Sequence, residues 1–175
     1  MLELKQINKY YNQGTVNEMC LFEDFSLTIR DRQFVSVVGS NGSGKTSMLN
    51  IICGSIPLDS GRIIIGGKDI TSMPEYKRQR RIGRVYQNPA MGTCPHMTIL
   101  ENMALADNKG KPFNLLPGTN RQRINYYKEQ LHSLGLGLED KLHVKVGVLS
   151  GGQRQAMALL MSTMTPIEFL SLDEH

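Results

Sequence analysis

Residues Gly39 to Thr46 read GSNGSGKT and satisfy the pattern G-x-x-x-x-G-K-[ST] in full. The chemistry open to such a stretch is the binding of phosphate. Its glycines let the backbone curl until successive N–H groups face one anion. A helix that starts there adds its partial positive charge. Lys45 is placed to reach β- and γ-phosphates, and the Thr46 hydroxyl to ligate Mg²⁺. A chance match arises in roughly one chain of this length in 200 on average usage, so coincidence is a poor account. A second stretch, LSGGQRQ from Leu149 to Gln155, combines a hydroxyl with two unhindered backbone N–H groups ahead of a helical pattern. Ser150 alone would be an ordinary helix cap. The third is FLSLDEH, Phe169 to His175, an apolar run that delivers Asp173 and Glu174. By itself it is a strand-end turn. Two adjacent carboxylates at the end of such a run also suit a metal site, the more so in a chain that carries a phosphate loop.

Regular elements must hold these groups. LELKQI alternates apolar and polar, as a half-buried strand does, and CLFEDFSLTI is another such strand. FVSVVG is nearly continuous in apolar character and predicts a strand covered on both faces, leading into the phosphate loop. SGKTSMLNIICG puts Met48, Leu49, Ile52 and Cys53 at helical spacing, with Gly54 as the C-terminal cap. GRIIIGG and IGRVYQ read as short strands, the first closed by a glycine turn. EYKRQRR, Glu75 to Arg81, predicts a solvated helix face.

Beyond Gln87 the texture changes to loops and amphipathic helices. TILENMALA carries Thr98 with Glu101 three residues on, a capping box, and TNRQRINYYKEQLHSLG predicts a helix ending at Gly135. Met91, Met97, Met103 and Phe113 are core candidates of this part, any exposed ones forming an adaptable surface. SGGQRQAMALLMSTM opens a further helix, and EFLSLDEH is the last strand. The fold class is therefore α/β: a P-loop core with an N-terminal antiparallel β subdomain and an inserted α-helical subdomain. Residues 1–87 and 149–175 make the core and 88–148 the insert.

Composition narrows the field. The 175 residues carry a net charge of +4 without a dense Lys/Arg stripe, so nucleic acid is not an expected partner. Cys20, Cys53 and Cys94 are scattered and form no CxxC pair, which predicts free thiols and no zinc site. No stretch approaches the ~20 apolar residues of a spanning helix, and the N-terminus lacks the apolar core of a signal peptide.

Together these motifs resemble the ATP-binding subunits of ABC transporters. GSNGSGKT looks like their Walker A loop, LSGGQ like their signature, Gln87 in RVYQNP like the Q-loop, and FLSLDE like Walker B. Order and spacing agree: Lys45 and Asp173 stand 128 residues apart, Ser150 and Asp173 23 apart. HMTILEN and LSGGQRQAMALLM resemble strings of amino-acid uptake ATPases of the tryptophan or tyrosine type. The resemblance implies ATP and Mg²⁺ as cofactors. It places Gly39, Ser40, Asn41, Gly42, Ser43, Gly44, Lys45, Thr46 and Ser47 on the phosphates. Thr46, Gln87 and Asp173 attend the metal, and Glu174 polarises the attacking water with Lys45 and Gln87 assisting. Ser150, Gly151, Gly152 and Gln153 cap the nucleotide held by a second subunit in a nucleotide-dependent homodimer. Either Tyr11 or Tyr10 stacks on adenine, Tyr11 being favoured.

Further implied partners are transmembrane permease subunits and an extracytoplasmic solute-binding protein, with the chain cytoplasmic and peripheral at the inner face of the membrane. Measured against the family pattern, the loop after Walker B and the later switch histidine are missing, as is the strand that lies between the Walker A and Walker B strands. His175 is not that histidine. The expectation is an importer's ATPase truncated at Walker B, with an incomplete sheet. The alternatives are an inactive nucleotide-binding fragment and a soluble ABC ATPase without a transport role. Ser171, inside the Walker B run, is expected to bond its hydroxyl to backbone.

Overall fold

The structure, a computed structural model, describes residues 1–112 and 118–173. It divides into two compact units, Met1–Ile82 and the chain from Gly83 onward. In the first unit, β1 (Leu2–Tyr11), β2 (Met19–Ile29), β3 (Ser60–Ile65) and β4 (Lys68–Asp69) form a sheet in the order β2-β1-β3-β4. Every neighbouring pair is antiparallel. Period-two patterning sets the register: Leu4 lies opposite Leu27 on one side and Ile63 on the other, and Leu2, Leu4, Ile63 and Ile65 are buried. The alternation slips between Leu4 and Ile7, where Gln6 and Asp24 both adopt φ +47° and the ladder bulges. The turn that closes β3 onto β4 runs through Gly66 and Gly67, at φ +56° and +75°.

Helix α1 (Lys45–Cys53) buries Met48, Ile51, Ile52 and Cys53 and ends at Gly54 in the left-handed region, whose N–H returns to Asn50 O at 2.9 Å. Its last turn is held by a residue for which the sequence predicted another role. Arg78 ends the short helix α2 (Glu75–Arg78), within the stretch read as a solvated face, yet it is only 4% exposed. Its guanidinium donates to Ile51 O and Ile52 O of α1 and to Thr71 O and Met73 O. The terminal carbonyls of a helix lack intrahelical partners and carry its negative pole. A five-donor planar cation meets that need better than water does.

A second expectation fails at FVSVV. Residues 33–40 enter no ladder, and Phe34 and Val38 are 85% and 90% exposed. A strand persists only where neighbours take its N–H and C=O groups. No strand among the described residues pairs with Phe34–Val38, and these five residues are exposed.

In the second unit, β5 (Ile82–Val85), which begins one residue before the division, hydrogen-bonds to β6 (Phe169–Leu172). Helices α3 (Ile99–Asp107), α4 (Ile124–His132) and α5 (Gly151–Thr163) share a core that includes Ile99, Met103, Tyr127, Leu131 and Met157. The capping box predicted at Thr98 and Glu101 is present. The predicted helix from Thr119 begins as a 3-10 turn at Arg121–Arg123 before α4. Of the core candidates, Met103 is fully buried, Met97 is half-buried and Met91 is exposed; Phe113 lies outside the described residues. The cysteines are free. Ser171 is buried, and its hydroxyl finds no hydrogen-bond partner among the described residues, contrary to the expected backbone bond. No helix among the described residues is long and apolar enough to cross a membrane.

Helices α3 and α4 are joined by a buried charge. Asp107 accepts both arms of the Arg123 fork, at 2.9 and 2.6 Å, and the Tyr127 hydroxyl at 3.0 Å. Burial works to raise the Asp107 pKa, but the Arg123 and Tyr127 hydrogen bonds outweigh it and hold the carboxyl below its ordinary range. Burial, then the bond to Asp107, pushes the Tyr127 hydroxyl up to about 12. A pKa raised on folding stabilises fully below the unfolded value of 10.0, and the contribution drains as pH climbs through about 12. We therefore expect an absorbance titration to show one of the six tyrosines ionising near pH 12, with stability to urea falling across that window. Tyr127→Phe should remove both effects.

Candidate functional site

The phosphate loop owes its curl to glycine. Gly42 and Gly44 take φ +82° and +89°, a region that side chains resist, and Gly44 forms the left-handed step into α1. A Cβ on Gly44 would stand 2.9 Å from Leu21 Cδ1, and one on Gly39 2.7 Å from Ser43 Oγ. Met48 N–H donates to Gly44 O at 2.8 Å, which starts the helical ladder. Lys45 folds back so that its ammonium donates to Gly39 O and Ser40 O, both at 2.8 Å. The cation therefore lies along the rim of its own loop. Thr46 is exposed and Ser47 half-buried on the first turn of α1. Left-handed glycines, a lysine hooped over the loop and a helix N-terminus are the donor set that a polyphosphate requires.

At the far end of β1, Tyr10 and Tyr11 are half-buried beside the β1–β2 turn. The Tyr11 ring lies 5.6 Å from Lys9 Nζ. The Tyr10 hydroxyl is raised above its ordinary pKa, by burial first and then by the carboxylate of Glu23.

In the second unit Gln87 is exposed two residues past β5, just before Asn88 caps a 3-10 turn at Pro89–Met91. Ser150 caps α5 in a reciprocal box: its hydroxyl accepts the Gln153 N–H at 3.3 Å, and its own N–H donates to Gln153 Oε1 at 3.2 Å. Gln153 thus serves the cap. Gly151 and Gly152 are exposed in the first turn of α5, and a Cβ on either would meet nothing within 4 Å.

Asp173 follows β6, its N–H donating to Val85 O at 3.0 Å. Arg84 Nη2 lies 3.6 Å from its carboxylate, with the guanidinium 4.4 Å above the Tyr86 ring. Sequence reading gave Arg84 no role. Its one signal is a cation inside the otherwise apolar IGRVY. Glu174 lies outside the described residues. Among those described, no group of three or more His, Cys, Asp or Glu could hold a metal unaided.

The sheet, the loop and its helix define a P-loop nucleotide-binding cassette. The family model described as ABC transporter matches residues 22–175. Over its whole length the chain is 43% identical to a tyrosine transport ATP-binding protein of Clostridioides difficile, spanning 69% of that relative. It is 36% identical over 99% of its length to a spermidine/putrescine import ATP-binding protein of Pasteurella multocida, spanning 42% of it. Among solved structures, a dimeric ATP-binding cassette bound to ADP and Pi shares the fold, with a TM-score of 0.79 and 24% identity over all of this chain and 88% of that one. The chain belongs to the ABC transporter family, as its ATP-binding component.

Loop geometry sets an expected cost. Gly44→Ala should destabilise the protein by ~1–3 kcal/mol, from the left-handed backbone and the Leu21 clash, measured by urea unfolding. Gly118→Ala, where a Cβ meets nothing within 4 Å, should change little.

Proposed function

We propose that the full-length protein powers solute uptake by hydrolysing Mg-ATP, with the nucleotide phosphates seated on Gly39 to Ser47. The observation that carries the reading is the Lys45 ammonium, held by Gly39 O and Ser40 O above a loop of left-handed glycines. Mg²⁺ would be ligated by the Thr46 hydroxyl and Asp173, with Gln87 attending it, and would supply charge neutralisation of the transferring phosphoryl group. Glu174 is assigned to the attacking water and Tyr11 to adenine.

Gly151 and Gly152 support a nucleotide-dependent homodimer. Glycine in a helix costs ~1 kcal/mol relative to alanine. Among the described residues nothing within 4 Å asks for it at these two positions. Bare backbone there suits close approach by a ligand held on a second copy. Residues 1–87 with 149–175 act as the nucleotide-binding core, and 88–148 as the helical insert that receives permease subunits. An extracytoplasmic binding protein would deliver the solute, with the chain peripheral at the inner membrane face. The similarity to a tyrosine transport protein favours an amino acid as that solute.

Exposure of Phe34–Val38 favours one further statement about this stretch of chain by itself: it binds nucleotide without turnover, because the segment that delivers the phosphate loop is anchored by no ladder. Calorimetry should show ATP binding to the parent and none to Lys45→Ala. Unchanged affinity in that variant would refute the phosphate role. Phosphate release by the 175-residue chain should be negligible, and robust Mg-ATP turnover would overturn the second statement.

A further inference from the structure

Strand β1 outruns one of its neighbours. Its last residue paired with β3 is Asn8, opposite Ser60, whereas pairing with β2 continues to Tyr11. On the β3 side, Asp59 takes over from the absent strand. Its N–H donates to Asn8 O at 3.1 Å, its Oδ2 accepts the Tyr10 N–H at 2.7 Å, and its Oδ1 accepts Lys9 Nζ at 2.9 Å. A single residue thus grips three consecutive residues of the strand end. Those bonds, from the Tyr10 N–H first and Lys9 second, hold the Asp59 carboxyl below the ordinary range.

Lys9 is only 8% exposed, unusual for a lysine, and a charge so enclosed requires a partner. It has Asp59 on one side, and on the other the Tyr11 ring, with Nζ 5.6 Å from the centroid. Residues two apart on a strand share a face, so Lys9 and Tyr11 point together and Tyr10 points away. Tyr10 lies opposite Cys20 on β2.

We infer that Asp59 is a positioning residue for a purine base: through Lys9 and the Tyr10 N–H it fixes the Tyr11 ring as the plane on which the base stacks. The inference rests on the nucleotide reading of the phosphate loop and deepens it. The ammonium engages the ring, and the carboxylate fixes both the ammonium and the backbone on which the ring is carried. Base stacking on an aromatic gains from a ring that is ordered before binding, because less side-chain entropy is then lost.

Residues 1–175 contain no tryptophan, so Tyr11→Trp places the one indole of this stretch at the proposed stacking plane. In the full-length protein with Mg²⁺, ATP should alter the emission of this reporter. Inorganic tripolyphosphate should compete with ATP without reproducing the change. Asp59→Ala should weaken ATP binding about three- to tenfold and leave tripolyphosphate binding as it was. Lys9→Met should act in the same direction, and Lys9→Arg should restore affinity. Should Asp59→Ala fail to fold, Asp59→Asn keeps an acceptor for the Tyr10 N–H and removes the ion pair. Equal loss of ATP and tripolyphosphate binding would overturn the inference, as would unchanged ATP affinity. A response from Tyr10→Trp with silence at position 11 would also overturn it. Failure of the parent protein to bind either ligand would instead refute the nucleotide reading beneath it.

Discussion

Lys45 holds its ammonium against two carbonyls of its own loop, and much of the molecule follows from that contact. A lysine left to itself extends into water, where its charge is best solvated. Here the backbone has turned the C=O groups of Gly39 and Ser40 toward it, which the left-handed steps at Gly42 and Gly44 make possible. The loop is therefore shaped around a cation. Such a loop needs a fixed exit, and α1 supplies it. α1 in turn needs its carbonyl end satisfied, and Arg78 does so. A chain of dependence thus runs from a guanidinium at the end of α2, through the nine residues of α1, to the phosphate loop.

Enclosed charges recur in both units with a common solution. Lys9 is neutralised by Asp59, Asp107 by the Arg123 fork and the Tyr127 hydroxyl, and Arg78 is met by four backbone carbonyls. Each of these charges lies where an element ends: the tip of β1, the C-terminus of α1, the junction of α3 with α4. The hydrophobic parts of these elements would tolerate sliding by a fraction of a turn, because apolar contact is not directional. A charged group with several fixed partners is directional, and it sets where each element stops.

Much of this was legible in the sequence. Short-range signals translated directly: Thr98 with Glu101 and Ser150 at the head of α5 are caps, Gly54 ends α1, and alternation from Leu2 to Leu4 gave the strand and its buried face. The phosphate loop was visible because its chemistry is concentrated in eight consecutive residues. Arg78 was misread because a basic run looks solvated until one knows which helix end it faces. Asp59 and Arg84 were passed over because their partners lie 49 and 89 residues away, and no local pattern announces such a meeting. FVSVV has the composition of a buried strand, but composition describes one strand and a ladder requires two.

That last segment has a consequence for how the protein behaves in solution. Phe34 to Val38 is rich in β-branched and aromatic side chains, free of charge and of proline, and open to solvent. Edges of this kind add to one another, and a net charge of +4 spread over 175 residues opposes such addition only weakly. The association would run edge to edge through main-chain bonds, so it would rise with protein concentration while each fold stayed intact. Colloidal behaviour and folding stability are in this way separated: the first is governed by five residues that contribute little to the second.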